Sequence, residues 1–401
     1  MMHAIVLAAL SLVDVEQAAV TNAPTVREAR ARVAERAALL DAAQGLGLPH
    51  AFANYAQSPQ FGTVGTVEQR LTTAGASIAL VDLSGRSPAV AAAQADLRSA
   101  QAGELDAERT ERIKVVGLFF DAVRTAEIRR LRETIVSSEE ADVRAARLRY
   151  GAGEAPRLDV LRANVALARA QADLATARAD ETNALHTLAL ETAHDALSVQ
   201  LPGLADLTLR EPLRAAPAPD VAIARALELR PEIAAARADV ASEQAAIRVA
   251  QRAAIPGVAA QVGYTTGTDT GVHVAGPSAN LTVDVPLSHS ASDRVRAERA
   301  RLDQADARLD ARQRAIQVEV GNAVRSYAAS MVATAAAAHA RAAAADEVRA
   351  TEIGYRAGAS SSLDLEDARR VYAQAAVDEA TALAAQRQAE ATLAALMGLQ
   401  E

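Results

Sequence analysis

The 401-residue chain has no cysteine and no tryptophan, and only 2% of it is aromatic. Without cysteine there is no disulfide framework, no thiol nucleophile and no lipidated amino-terminal Cys. With so few rings, a single large globular core is not expected, although half the residues are hydrophobic. Much of that half is alanine, which suits close helix–helix approach along thin contacts; codon bias is the competing explanation, since Lys114 is the only lysine among many arginines. No run approaches the roughly 20 uninterrupted apolar residues of a membrane-spanning helix. Even the alanine stretch after Met331 is broken by His339 and Arg341. Net charge is −8, and no basic stripe is interleaved with aromatics, so no nucleic-acid partner is expected.

Catalytic constellations are equally scarce. His186 and His194 lie eight residues apart with no carboxylate pair to complete a metal site. His50 and His273 fall in the strand regions. Gly65, Gly75 and Gly85 read as isolated members of a Thr/Ser-rich loop rather than a phosphate cradle. Glu139-Glu140 reads as a solvated helix face. The chain is therefore read as a non-enzyme with no cofactor and no metal.

What is present is long helix. From Asp293 to Glu352 there is no proline and one glycine, Gly321, in a segment dense in Ala, Arg, Leu and Glu. Val295, Leu302, Leu309 and Ile316 fall seven apart, the spacing of a seam in a supercoiled pair. Such a helix would run roughly 90 Å at 1.5 Å per residue. A turn through Tyr355 to Asp364 then leads into a second proline-free run ending near Met397.

This unit occurs twice. Pro24, Arg30, Val33, Gln44 and Pro49 recur 207 positions later as Pro231, Arg237, Val240, Gln251 and Pro256. Tyr150, Gly153, Leu158 and Asp159 recur 205 positions later as Tyr355, Gly358, Leu363 and Asp364. Spaced identities of this kind indicate duplication. Residues 1–10 are read as a residual export signal or as the start of the first helix. Residues 11–200 form the first repeat: a helix interrupted at Pro24, a β-hairpin over 50–84, and a helical hairpin over 87–199. Ser87-Pro88 is expected to open its long helix, as hydroxyl cap and first-turn proline. Residues 201–220 form a Pro-rich linker. Residues 221–401 form the second repeat, with a helix over 221–254, a β-hairpin over 256–289 and a helical hairpin over 292–398.

The strands alternate. In Asn280 to Leu287, and again from Val258 to Tyr264, apolar residues take every second place. A half-buried soluble sheet has this pattern, and so does a barrel strand between lipid and water. Two features favour the barrel: expected strand lengths of about 9–11 residues, enough to cross a bilayer at a slant, and four of the ten aromatics (Phe52, Tyr55, Phe61 and Tyr264) placed as interface girdles. Four strands per chain cannot close a barrel, and hydrocarbon forbids open edges. Three chains would supply twelve strands and twelve long helices. The expected architecture is thus mainly α with short β: duplicated coiled-coil helical hairpins and two β-hairpins, with a trimer forming a 12-stranded β-barrel on a 12-helix α-barrel.

The repeated Tyr-x-x-Gly-x-x-x-x-Leu-Asp-(Val/Leu) pattern, with Ala395-Leu396-Met397-Gly398-Leu399 at the end, resembles the TolC-type outer-membrane efflux proteins, the outer-membrane factors of tripartite export systems. The resemblance covers nearly the whole chain. It implies a homotrimeric channel in the outer membrane of a Gram-negative bacterium, in contact with outer-membrane lipid and with most of the chain in the periplasm. The channel would conduct substrates passively in efflux or type I secretion. Its partners would be a periplasmic adaptor (membrane fusion protein) and an inner-membrane RND, ABC or MFS transporter. By the same resemblance Asp364 and Asp367, with Asp159 and Arg162 from the first repeat, mark an entrance constriction. Tyr150, Gly153, Tyr355, Gly358 and Ser360 mark adaptor-docking helix tips. Ser360 stands where some members carry a tip arginine, and Arg162 stands where the second repeat has Asp367, which implies an Arg162–Asp367 contact between hairpins. A local role remains open beside this: Asp159 and Asp364 both begin a helix, where carboxylates meet the dipole favourably, and the glycines suit left-handed turns. From a different class, the alternative is a periplasmic adaptor or a coiled-coil structural protein.

Overall fold

The computed structural model describes residues 11–45, 48–62, 65–79, 82–193, 201–204, 213, 215–252, 255–269, 272–285 and 290–398. The element order is α1 (Leu12–Asn22), α2 (Pro24–Gly45), β1 (His50–Gly62), β2 (Gly65–Ala79), α3 (Asp82–Gly151), α4 (Arg157–Thr192), α5 (Pro219–Leu229), α6 (Pro231–Arg252), β3 (Gly257–Asp269), β4 (Val272–Asp284), α7 (Ser290–Arg356) and α8 (Ser362–Leu396). Two helix pairs, each followed by a β-hairpin and a long helical hairpin, repeat the duplication seen in the sequence. The residual-signal segment 1–10 and His194 lie outside the described residues.

The chain divides into two compact units. One unit comprises residues 1–27, 106–230 and 314–401 and holds the ends of both helical hairpins. Its core gathers Val15 and Ala19 of α1, Val115, Val116, Phe119, Phe120 and Val123 of α3, Leu188 of α4 and Ala384 and Ala391 of α8. Phe119 and Phe120 meet edge to face, with ring centres 5.7 Å apart, an arrangement the aromatic quadrupoles favour. Along α4 the buried face repeats every seven residues through Ala163, Ala170, Ala177 and Ala184. Small side chains at that spacing let the partner helix come close. Ion pairs lace the α3–α4 hairpin, with Arg129–Glu181 at 2.6 Å and Arg132–Asp173 at 3.0 Å. Arg341–Glu379 at 2.6 Å does the same for α7–α8.

The other unit comprises residues 28–105 and 231–313. It contains one antiparallel sheet in the order β1-β2-β3-β4, so the two hairpins of the repeats join through β2 and β3. Register sorts the residues into two faces. Tyr55 pairs with Thr72, Ala74 with Tyr264, and Tyr264 with Pro277, and these share one face with Ala76, Val262 and Ala279. The opposite face carries Thr73, Ser77, Gln261, Thr265, Ser278 and Asn280. There the Thr73 and Thr265 hydroxyls lie 2.9 Å apart, and Thr265 donates to Ser278 at 3.1 Å. Gly75 and Gly263 face each other across β2 and β3 on this polar side. A methyl on Gly263 would lie 2.6 Å from the Ala74 carbonyl oxygen, and one on Gly75 would collide with the Val262 carbonyl. The neighbouring backbone comes so close at this seam that only glycine fits.

Several boundaries differ from the sequence reading. The strands are 13 to 15 residues long, not 9–11. Helix α3 begins at Asp82 and runs through Pro88, so that proline is internal to the helix and does not open it. Its missing amide removes one backbone bond, which the rest of a 70-residue helix tolerates. Gly65 and Gly75 belong to β2 and Gly85 to α3, so none of them lies in a loop. The second repeat's leading helix is divided at Pro231, because proline forces the preceding residue out of helical geometry: Arg230 adopts φ −69° and ψ 129°. Described helix α4 stops at Thr192, where Ala193 turns left-handed at φ 55°.

Candidate functional site

Both helical hairpins are closed by the same device. The Gly153 amide donates to the Tyr150 carbonyl at 3.0 Å, and Glu154 donates to Arg149 at 2.8 Å. In the second repeat Gly358 donates to Tyr355 at 3.1 Å, and Ala359 to Gly354 at 2.8 Å. This is the Schellman arrangement, in which a left-handed residue lets the last carbonyls of a helix be satisfied. Gly153 and Gly358 have φ of 76° and 75°, and a methyl at either would meet open space. Backbone sign, not crowding, selects glycine at both.

The returning helices start differently. Ser361 and Asp364 form a capping box: the Asp364 amide donates to Ser361 Oγ at 3.2 Å, and the Ser361 amide donates to Asp364 Oδ2 at 2.8 Å. These bonds hold the Asp364 carboxyl below the usual range. Helix α4 has Pro156 at its cap and no side-chain bond there. Asp159 is thereby released, and it accepts from Ser362 Oγ of the other hairpin at 2.9 Å. Arg162 donates to the same Ser362 oxygen at 3.4 Å.

Two further links join the hairpins. Arg149 places its guanidinium carbon 5.1 Å from the centre of the Tyr355 ring, within cation–π range. Arg369 of α8 pairs with Asp142 of α3. Around that pair lie Glu139 of α3 and Glu366 of α8, both half-buried. Burial pushes both carboxyls up, first of all, and neighbouring Asp142 adds to the rise in each.

The residues singled out in sequence thus divide. Asp159, Arg162 and Ser362 meet, and Tyr355 meets Arg149. Within the chain the implied Arg162–Asp367 contact is not formed: Asp367 pairs with Arg370, one turn along its own helix, while Arg162 turns to Ser362. A short i,i+3 pair needs no second helix, and it takes Asp367 first. Ser360 donates its backbone amide to the Gly354 carbonyl at 3.2 Å and continues the turn. Tyr150 is exposed. Glu139 is not the solvated position expected, and Asp142, Arg149, Glu366 and Arg369 carried no local signal, since each acts across helices.

On the sheet, Tyr55 and Tyr264 stand exposed on the apolar face, at 60% and 56%. Phe61 falls in register with that face, opposite Thr66. Phe52 does not: it pairs with Gly75 and lies on the polar side, because an even residue of β1 cannot share a face with Tyr55.

Among the described residues no helix is long and apolar enough to cross a membrane, and no group of three or more His, Asp or Glu residues is placed to hold a metal. The sheet carries an exposed apolar face, and each repeat contributes one long helical hairpin. The chain belongs to the outer membrane efflux protein family, whose profile matches residues 15–193 and again 222–399. It is 27% identical over 322 residues to Protein CyaE of Bordetella pertussis, a match covering 75% of this chain and 65% of that protein. In structure it is similar to the outer membrane protein VceC of Vibrio cholerae, with a TM-score of 0.80, 16% identity and 96% of each chain covered. The CmeC outer membrane channel of Campylobacter jejuni gives a TM-score of 0.79 at 16% identity, covering 96% of this chain and 85% of that one.

Proposed function

We propose that three copies of this chain form a passive conduit through the outer membrane of a Gram-negative bacterium, most of each chain lying in the periplasm. The observation that carries this reading is the sheet. It has one apolar, exposed face and one hydroxyl-lined face, and its end strands β1 and β4 each have a paired neighbour on one side only among the described residues. In hydrocarbon such edges must be closed. Three sheets of four strands make a twelve-stranded barrel, with lipid on the Tyr55 and Tyr264 side and water on the Thr73 and Thr265 side. Membership of the efflux family supports the same reading.

Substrate would arrive through a periplasmic adaptor of the membrane-fusion type and an inner-membrane RND, ABC or MFS transporter, in efflux or type I secretion; energy comes from that transporter, and the conduit itself performs no reaction. In this reading Asp159, Arg162, Asp364 and Asp367 line the entrance, and Tyr150, Gly153, Tyr355, Gly358 and Ser360 present the adaptor-docking surface.

Membrane fractionation tests the proposal, followed by cross-linking in detergent. A photo-reactive cross-linker is required, since the chain has a single lysine, Lys114. Recovery only after detergent extraction of outer membranes, with cross-linking that proceeds to trimer and stops, is the expected result. A salt-soluble periplasmic protein, or cross-linking that ends at monomer or dimer, would refute it and favour the adaptor or coiled-coil alternative.

A further inference from the structure

In the sheet-bearing unit, α3 has α2 on one flank and α6 on another. Arg30 and Arg36 of α2 reach Glu104 and Asp96 of α3 at 3.1 and 3.8 Å. Helix α7 joins at α6, where Val249 and Arg294 line one cavity. The α3–α6 junction sets a motif against its own likeness, Asp96-x-x-Ser99 against Asp239-x-x-Ser242. Each serine donates to the other helix's carboxylate: Ser99 to Asp239 and Ser242 to Asp96, both at 2.5 Å. The helices run antiparallel there, so one turn farther along Ala92 comes opposite Ala246, and both line the same cavity.

The duplication carries this junction over to two further faces. Residues of α2 recur 207 positions later in α6, and residues of α3 recur 205 positions later in α7. Burial follows the second offset: Val115, Phe119 and Ala122 return as buried Val320, Val324 and Tyr327. Carried back, Ser242 becomes Glu35 and Asp239 becomes Arg32; carried forward, Asp96 becomes Arg301 and Ser99 becomes Gln304. The junction's register then sets Glu35 opposite Arg301 and Arg32 opposite Gln304. One turn farther on, Glu28 comes opposite Arg308; one turn back, Leu39 comes opposite Ala297. All four positions are complementary: carboxylate to guanidinium twice, guanidinium to amide oxygen, and apolar to apolar. Yet the register was set by a junction of serines and aspartates. Asp96 and Ser99 are half-buried in the internal junction, whereas Glu28, Arg32 and Glu35 on α2 and Arg301, Gln304 and Arg308 on α7 are all exposed.

We propose that α7 of one copy docks on α2 of the next in the register of the α3–α6 junction, with Arg301 on Glu35 of the partner subunit and Arg308 on Glu28 of the partner subunit. Within one copy Arg301 holds Glu298 at 2.7 Å and Arg32 holds Glu28 at 2.8 Å. Exposed pairs along one helix contribute little and leave room for a second partner. Charge complementarity across a contact fixes register more than it adds affinity. The two faces differ, so the contact is head to tail and can close a ring of copies. The docking rests on the trimeric-conduit reading for the number of copies, and it names the faces that join them.

The chain has no cysteine, so thiols can be placed without background. Full-length Glu35→Cys/Arg301→Cys and Glu28→Cys/Arg308→Cys proteins in detergent are treated with a short bifunctional thiol reagent. The control, Glu35→Cys/Arg308→Cys, sets its thiols about 10 Å out of register along the helix axis. Only variants whose thermal unfolding matches the unaltered protein are compared. The two in-register variants should give covalent dimer and trimer several-fold more than the control, and each single-cysteine variant should stay monomeric. Equal yields in all three, or most from the control, would overturn the register. Photo-cross-linking of the same preparations separates the failures. Trimer by that route with no thiol link at the in-register pairs overturns the docking and leaves the conduit standing. Monomer by both routes overturns both.

Discussion

The guanidinium of Arg149, in the last turn of α3, lies over the ring of Tyr355, in the last turn of α7, with 5.1 Å between guanidinium carbon and ring centre. The residues come from different repeats, so this contact ties one hairpin end to the other. Exposed cation–π pairs contribute about 0.5–1 kcal/mol. Tyr355→Leu and Arg149→Gln should each raise hydrogen exchange at both hairpin ends, and together do little more than either alone. Tyr355→Phe, which keeps the ring, should leave the coupling intact. Additive single and double variants would dissolve the link.

The left-handed glycines predict a contrast within one turn. Gly153→Ala and Gly358→Ala should each destabilise by about 1 kcal/mol, since a side chain there opposes the backbone conformation and not a neighbour. Gly151→Ala, two residues earlier and inside the helix, should be neutral or stabilising. Urea midpoints of the three variants check the order.

The capping box predicts a pH response of definite sign. The Asp364 carboxyl is depressed, so its contribution is complete at neutral pH and fades as pH falls through its packed-state value. Amides in the first turn of α8 should therefore lose protection only in strong acid. Ser361→Ala should cost about 1 kcal/mol of local helix stability and abolish that acid transition.

Leu213 is gripped twice: its amide donates to Glu390 Oε1 at 2.7 Å, and its carbonyl accepts from the Tyr327 hydroxyl at 2.8 Å. Tyr327 is 1% exposed, and burial, with nearby Glu390, raises its phenol. Tyr327→Phe removes one grip without opening a cavity and should cost about 1–3 kcal/mol, the range for a buried acceptor left without its donor. Protease cleavage near Leu213 should quicken in the same variant. Unchanged cleavage would show that Glu390 holds the segment unaided.

The sheet seam gives the last contrast. Gly75→Ala and Gly263→Ala place a methyl against the neighbouring strand's backbone, whereas Gly276→Ala meets nothing within 4 Å. The first two should lower the yield of folded protein by heat-resistant β-signal in circular dichroism, and the third should not.

Much of this fold was legible because it is written in periodicity. Seven-residue spacing exposed the coiled helices: Val295, Leu302 and Leu309 are half-buried along one face of α7, and Ile316 is buried. Period-two alternation found β3 and β4, and repeated Tyr, Gly and Asp located both hairpin ends. Cross-helix chemistry was not legible. Glu139 reads locally as one of two adjacent surface glutamates, and nothing in its neighbourhood reveals Arg369 some 230 positions away. Phe52 and Tyr55 look alike in composition, yet odd and even places on β1 send them to opposite faces. Asp159 and Asp364 occupy matching positions in the repeat, and only the residue at the cap, Pro156 or Ser361, decides what each carboxylate does.

That last difference has a consequence for any ring assembled from this chain. Asp364 is spoken for by its own helix, while Asp159 is free to hold a stranger, so duplicated sequence yields two unlike joints. A closed circle of such chains would alternate stiff corners with yielding ones, and its flexing would concentrate at every second corner.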